Sequence, residues 1–476
     1  MPPFPEVEPV NRFRAGVCAL WYCQMIVRQL LQWDTESGNL QRFGFEYGNI
    51  AESLITQGRF ADAMTAGSGP TAWMPPLLCW IYALAFAFGG GRTFLSAIVL
   101  VNLKALATTW CLWHFLQLAW QRWKWTGMLA SLLLCQLWVE CDHHRVFGEF
   151  DDTWWVNSLT FLALRQLLRP ATSWGWGFAC LAVLLPLASP SLTWAFSLAL
   201  LVRAWNQPHS RRAIAGFLAL CALVTAAWTA RNYLALGRVY PIKSNLWFDF
   251  LEANAWDDDG VLTSSFFLAY HPVNRNDVRE EYIRLGEAAF LDQARADCAR
   301  IPLDQWAHRS LRRLYNATIV LQNDWDFYPS HNDLPTEDIQ VLLKSKLLRE
   351  KDEKYTWLFC LRDRLTVEDE LRRLPIKYLA MVQESRTRCE DTLEWCHNWP
   401  RHRWGRIHFT LLPTLAIVLL VARRLTAGEV REPILMYAFF LLPYVLVQHY
   451  CRYQVSVVWL QHFLILSALL PGRSRP

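Results

Sequence analysis

Ionisable residues beside strongly apolar runs are where chemistry is expected in this sequence. The stretch FGFEYGNIAESLITQGRFADAMTAGSGPTAWMPP, residues 43–76, places an acid, Glu46, at the head of an amphipathic run of Ile50, Ala51, Leu54 and Ile55. Gly58 closes that run, and a Gly-rich turn leads through Gly69-Pro70-Thr71-Ala72-Trp73 to Pro75-Pro76. Residues 141–152, CDHHRVFGEFDD, gather further ionisable groups, with Asp151 and Asp152 just before Trp154-Trp155. Such groups are costly at membrane depth, so they mark function unless the loop is simply solvated. His143 and His144, with Glu149, Asp151 or Asp152, make a divalent metal possible, but adjacent histidines also occur in ordinary loops and no metal site is assigned. Arg231, Arg238 and Lys243 follow one another where the chain leaves an apolar run. They either grip a lipid phosphate through charge-assisted hydrogen bonds or snorkel as interfacial anchors.

Positioning these groups requires a membrane scaffold. Of 476 residues, 53% are hydrophobic and 26 are Trp, and apolar runs of roughly 20 residues recur, as in a polytopic membrane protein. The apolar segments are 15–32, 73–89, 93–120, 125–141, 153–168, 174–189, 191–205, 212–231, 407–422, 433–449 and 453–470. Lys and Arg accumulate in short cytoplasmic loops. If 73–89 does not cross, Arg12/Arg14, Arg122/Lys124, Arg165/Arg169, Arg203/Arg211/Arg212, Arg423/Arg424/Arg431 and Arg473/Arg475 all fall on one side. The expectation is an all-α chain of about ten transmembrane helices plus one re-entrant or juxtamembrane segment between Pro75-Pro76 and Gly89-Gly90-Gly91.

This topology sends residues 33–92, 141–152, 232–406 and 448–454 to the exoplasmic face. It divides the chain into an N-terminal transmembrane module (1–231), a mostly helical exoplasmic domain (232–406) and C-terminal transmembrane helices (407–476). In the domain, Tyr282, Leu285, Ala289 and Leu291 lie on helical faces, and Pro302 opens a further helix. The first apolar segment follows Arg12 and Arg14 without a small-residue cleavage site and reads as an anchor. A net charge of +5 makes no case for nucleic acid. Thirteen cysteines include no CxxC pair, which argues against structural zinc. Cys298, Cys360, Cys389 and Cys396 are placed for disulfides in an oxidising compartment, and Asn316-Ala317-Thr318 fits a glycosylation sequon.

Taken together, FGFEYGNIAESLITQGRF with GPTAWMPPLL, TARNYLALGRVYPIKSN, HPVNRNDVREEYIRLGEAAF and HYCRYQVSVVWLQHFLIL resemble, in order and spacing, the GT-C superfamily of polytopic glycosyltransferases. The likeness is to the group of glycosyltransferase family 39, protein mannosyltransferases and bacterial aminoarabinose transferases. It implies a polyprenyl-phosphate sugar donor, a lipid bilayer setting such as the bacterial inner membrane, and an exoplasmic active site serving a glycan, lipid or protein acceptor. Glu46 stands where the family has an acid, often Asp, that acts as base or organises the acceptor. Asp151 or Asp152 matches a second family acid. The lysine often found before the proline pair is replaced by Trp73-Met74. In such a reaction a carboxylate takes the acceptor's proton and cations stabilise the departing phosphate. Arg231, Arg238, Lys243 and Arg452 are the candidate clamp, Arg452 being equally an interfacial anchor. Trp73 either belongs to the tryptophan belt or lines the sugar site. A lipid-glycan transporter or flippase would show buried charges and repeated halves; Lys104 is the clear mid-span cation and no repeat is visible. A non-catalytic scaffold of the same architecture is the other alternative.

Overall fold

The computed structural model describes residues 8–35, 44–141, 152–169, 175–256, 271–273, 275–319, 410–423, 430–448 and 452–470. Among them the chain is all-α apart from one isolated antiparallel bridge, Ala61 to Pro70. The N-terminal helices are α1 (Glu8–Thr35), α2 (Phe45–Gln57), α3 (Pro76–Gly89) and α4 (Phe94–Cys141). They are followed by α5 (Thr153–Leu167), α6 (Trp176–Ala188), α7 (Pro190–Asn206) and α8 (Arg211–Leu236). Shorter helices come next: α9 (Leu246–Leu251), α10 (Asn276–Leu285), α11 (Glu287–Cys298) and α12 (Leu303–Thr318). The chain closes with α13 (Leu412–Ala422), α14 (Arg431–Leu446), α15 (Arg452–Val455) and α16 (Val458–Leu469).

Local sequence explains the boundaries. Gly58 ends α2 in a left-handed conformation, its N–H reaching the Leu54 carbonyl, as glycine C-caps do. Pro75-Pro76 begins α3 and Gly90 stops it. Residues 93–120 and 125–141, two expected segments, form one helix broken at Lys124, whose φ of 58° is not helical. Between α6 and α7, Ser189 caps α7 by accepting from the Leu192 N–H, and Pro190 takes the first helical position.

Among the described residues two helices are long and apolar enough to cross a membrane, Phe94–Val139 and Pro208–Leu236. Only 17% of the apolar window in the second is buried inside the protein, and side chains such as Leu223 face outward. A helix that is apolar on its outer surface gains nothing from water and is matched by an apolar solvent. The 14-residue α3 is about 21 Å long, less than the ~30 Å hydrocarbon core. In the bundle, α1 packs on α4, α5 and α16 close against α4, α8 packs on α6, and α14 lies along α7. Trp138, Trp154 and Trp459 fill its centre, with Trp138 stacked on Trp154 at 5.3 Å.

A second core gathers around α2 and α3. It contains Tyr47, Ile50, Phe60, Met64, Trp73 and Tyr82, together with Phe248, Tyr282, Phe290 and Leu291 from the later chain. Trp155 at the start of α5 and Trp228 near the end of α8 pack against it. The first loop, the head of α5 and the segment after α8 therefore meet in one place. The start of α2 leaves no room for a larger residue. Gly44 has φ +81°, and a Cβ there would lie 2.4 Å from Cε1 of Tyr82. Gly44→Ala is expected to cost about 2 kcal/mol through strain and overpacking, read as a lower melting temperature of the detergent-solubilised protein.

Candidate functional site

Glu46 sits in the first turn of α2 and is buried. Its Oε1 lies 3.4 Å from Nε2 of His271. The imidazole is oriented from its other side, because the Val273 backbone N–H donates to Nδ1 at 3.2 Å. Nδ1 is thus an acceptor, and in the neutral ring the proton is on Nε2, facing the carboxylate. Trp73 and Phe248 wall the ring edge-on at 5.5 and 5.6 Å. The result is a carboxylate–imidazole pair enclosed by aromatic surface, joining residues more than two hundred positions apart.

Beside it lies a second buried carboxylate that the sequence did not single out. Glu287, the first residue of α11, accepts hydrogen bonds from Thr71 Oγ1 at 2.5 Å and the Ala72 N–H at 2.8 Å. It also accepts from Ser244 Oγ and Tyr282 OH, both at 2.7 Å. Burial pushes the Glu287 carboxyl above the usual carboxylate range, and these donors pull it part of the way back. Burial and then the adjacent Glu287 charge push the Tyr282 phenol well up. The only local signal was a Gly286-Glu287 step opening a helix, and nothing near it announces partners in the first loop.

The rest of that loop is fixed by polar side chains acting on backbone. Asp62, with φ +64°, accepts from the Gly69 N–H at 2.9 Å and from Gln57 Nε2 at 3.1 Å. Asn49 Nδ2 donates to the carbonyls of Ala63 and Met64. From the end of α8, Arg231 donates to the carbonyls of Thr71 at 2.6 Å and Phe60 at 2.5 Å, its guanidinium over the Phe60 ring.

The cations expected to face a phosphate have partners inside the protein. Arg231 holds loop carbonyls; Arg238 is exposed and paired with Asp292 at 3.0 Å; Lys243 is half-buried and paired with Asp249 at 3.3 Å. Trp73 is wholly buried, which corrects its placement in a belt or on a sugar surface: the aromatic cluster has absorbed it. Its indole N–H has no hydrogen-bond partner among the described residues. Asp152 precedes α5, and its carbonyl accepts from the Val156 N–H. Lys104 is buried with Nζ 4.4 Å from the Trp154 ring centre, and Arg14 and Arg203 are buried charges as well. His143, His144, Glu149 and Asp151, the side chain of Arg452, the sequon Asn316 side chain, residues 320–409 and their cysteines lie outside the described residues. Cys298 is a buried thiol donating to the Trp247 carbonyl. Among the described residues no group of three metal-ligating side chains occurs.

No family model, curated protein or solved structure matches this chain.

His271→Ala removes the imidazole that faces the buried Glu46 carboxylate at 3.4 Å and should cost about 2 kcal/mol, with His271→Gln recovering part of the loss in thermal melts. Glu287→Ala should cost about 3 kcal/mol or more, because four donors lose one acceptor. The raised folded-state value of Glu287 has a definite sign: its contribution is complete below the ordinary carboxylate range and is lost as pH rises through the folded value. Glu287→Gln should flatten that part of the melting temperature's dependence on pH.

Proposed function

We propose that the chain is a polytopic membrane glycosyltransferase of GT-C type, with about ten transmembrane helices. It would move a sugar from a polyprenyl-phosphate donor to an acceptor on the exoplasmic face. The membrane part rests on the outward apolar surface carried by several helices, among them Leu20 on α1, Leu133 on α4, Leu223 on α8 and Val418 on α13. The observation that carries the chemistry is the Glu46–His271 pair, a carboxylate oriented by an imidazole where the loop, α8 and the later segment converge.

In this reading the acceptor oxygen attacks the anomeric carbon as its proton passes to Glu46. The bond from that carbon to the lipid phosphate breaks, and the phosphate leaves with both bonding electrons. Direct displacement inverts the anomeric centre. His271 holds the carboxylate in place. Arg238 is suited to the phosphate because its one partner, Asp292, forms an exposed pair that is worth little, and Lys243 is held by the one carboxylate of Asp249. Arg231 is not suited to it, since releasing it frees two loop carbonyls.

The non-catalytic scaffold remains as a second reading, favoured by the burial of Glu46 and by the internal engagement of these cations. Transfer of radiolabelled sugar from a panel of polyprenyl-phosphate donors in proteoliposomes separates the two. Glu46→Gln should lower transfer about 10²- to 10⁴-fold, the range of general-base contributions. Undiminished transfer by this variant removes Glu46 as base, and absence of transfer by the native protein from every donor favours the scaffold.

A further inference from the structure

The helix α12, LDQWAHRSLRRLYNAT, has two faces whose roles are reversed from those of a water-soluble helix. Trp306, Arg309, Arg313 and Ala317 share the side turned toward the protein. Arg313 is fully buried and donates to the carbonyls of Val445 at 2.7 Å and Leu446 at 3.3 Å and to Asn254 Oδ1 at 3.0 Å. Trp306 Nε1 donates to the same Leu446 carbonyl at 2.7 Å, and Arg309 donates to the Asn254 carbonyl. These contacts satisfy the orphan carbonyls at the end of α14 and put positive charge at its negative pole. They also fix the height of α12 at the end of that helix.

The adjoining side of α12 carries Leu303, Leu311 and Leu314, which are 73%, 66% and 44% exposed. Asp304 and His308 lie on its polar edge. The α14 helix, to whose end α12 is bonded, also exposes Leu442 and Leu446. A helix that turns Arg309 and Arg313 inward and its leucines outward, level with the end of an apolar helix, suits the membrane interface. We propose that α12 lies in the boundary between headgroups and acyl chains, with Leu303, Leu311 and Leu314 seated in lipid. Its occupant is the bilayer, because α12 is hydrogen-bonded to the last turn of α14, an apolar helix that itself exposes Leu442 and Leu446. The inference rests on the multi-pass reading of this chain and is independent of sugar transfer.

The test places the photoreactive residue benzoylphenylalanine in the full chain, one position at a time, at Leu311, Leu314, His308 and, as a control on α8, Leu223. Each variant is first checked for a single symmetric gel-filtration peak. It is then reconstituted in vesicles of phosphatidylcholine and phosphatidylglycerol containing radiolabelled phosphatidylcholine, and irradiated. Lipid adducts at Leu311 and Leu314, about tenfold or more above His308, are expected. Adducts to residues 320–409 of the same chain, or to a second copy, with Leu223 labelled by lipid, would overturn the proposal while leaving the multi-pass reading intact. Failure of lipid labelling at Leu223 as well would overturn both.

Discussion

The Glu287 carboxylate is the point on which the described architecture around the first loop depends. It binds the loop at Thr71 and Ala72, the segment after α8 at Ser244, and α10 at Tyr282. Burying a carboxylate is expensive, and the expense is offset only when its lone pairs are filled. Each of these donors therefore has to be where it is, which gives the network directional demands that apolar packing lacks. Arg231 works on the same loop from the other side by gripping the Phe60 and Thr71 carbonyls. With these two residues, and with Asp62 and Asn49 within it, the loop keeps its shape with one isolated β-bridge.

The arrangement separates two uses of charge that look alike in a sequence. Glu46 faces the imidazole of His271, whose other nitrogen is already engaged, an arrangement that orients a carboxylate. Glu287 meets hydrogen-bond donors from three segments, and this holds backbone together. Likewise Arg231 and Arg238 are near neighbours in the chain, yet one is tied to main-chain carbonyls and the other to an exposed aspartate. Residue type and position at a membrane face gave both arginines the same reading. Only the geometry of their acceptors separates them.

Local features of the fold were legible. The Gly58 stop of α2, the proline start and glycine end of α3, and the helix after Pro302 all follow from residues that restrict or free the backbone near the boundary. The position of Glu46 in a first helical turn was legible too, from the amphipathic run it opens. What escaped are partnerships across long separations: Thr71 with Glu287, Glu46 with His271, and Arg313 with the end of α14. A polar residue reads the same in sequence whether its partner is water, backbone or a distant side chain. Trp73 was misplaced for a related reason: tryptophan near an apolar run suits a membrane interface, but here several aromatic residues from later segments close over it.

The separation between Thr71 and Glu287 also sets an order of assembly. A growing chain presents Phe60, Thr71 and Ala72 well before Arg231 is made, and Glu287 emerges later still. Until Arg231 is made the loop's backbone groups have neither of the charged residues that fix them, and until Glu287 follows they have only one, while α3 and α4 already have complementary apolar faces to pack. The loop is therefore completed from its far partner backward, after a long stretch of synthesis. A ribosome stalled before residue 287 would leave the helices on either side of the loop in place and the site between them unformed.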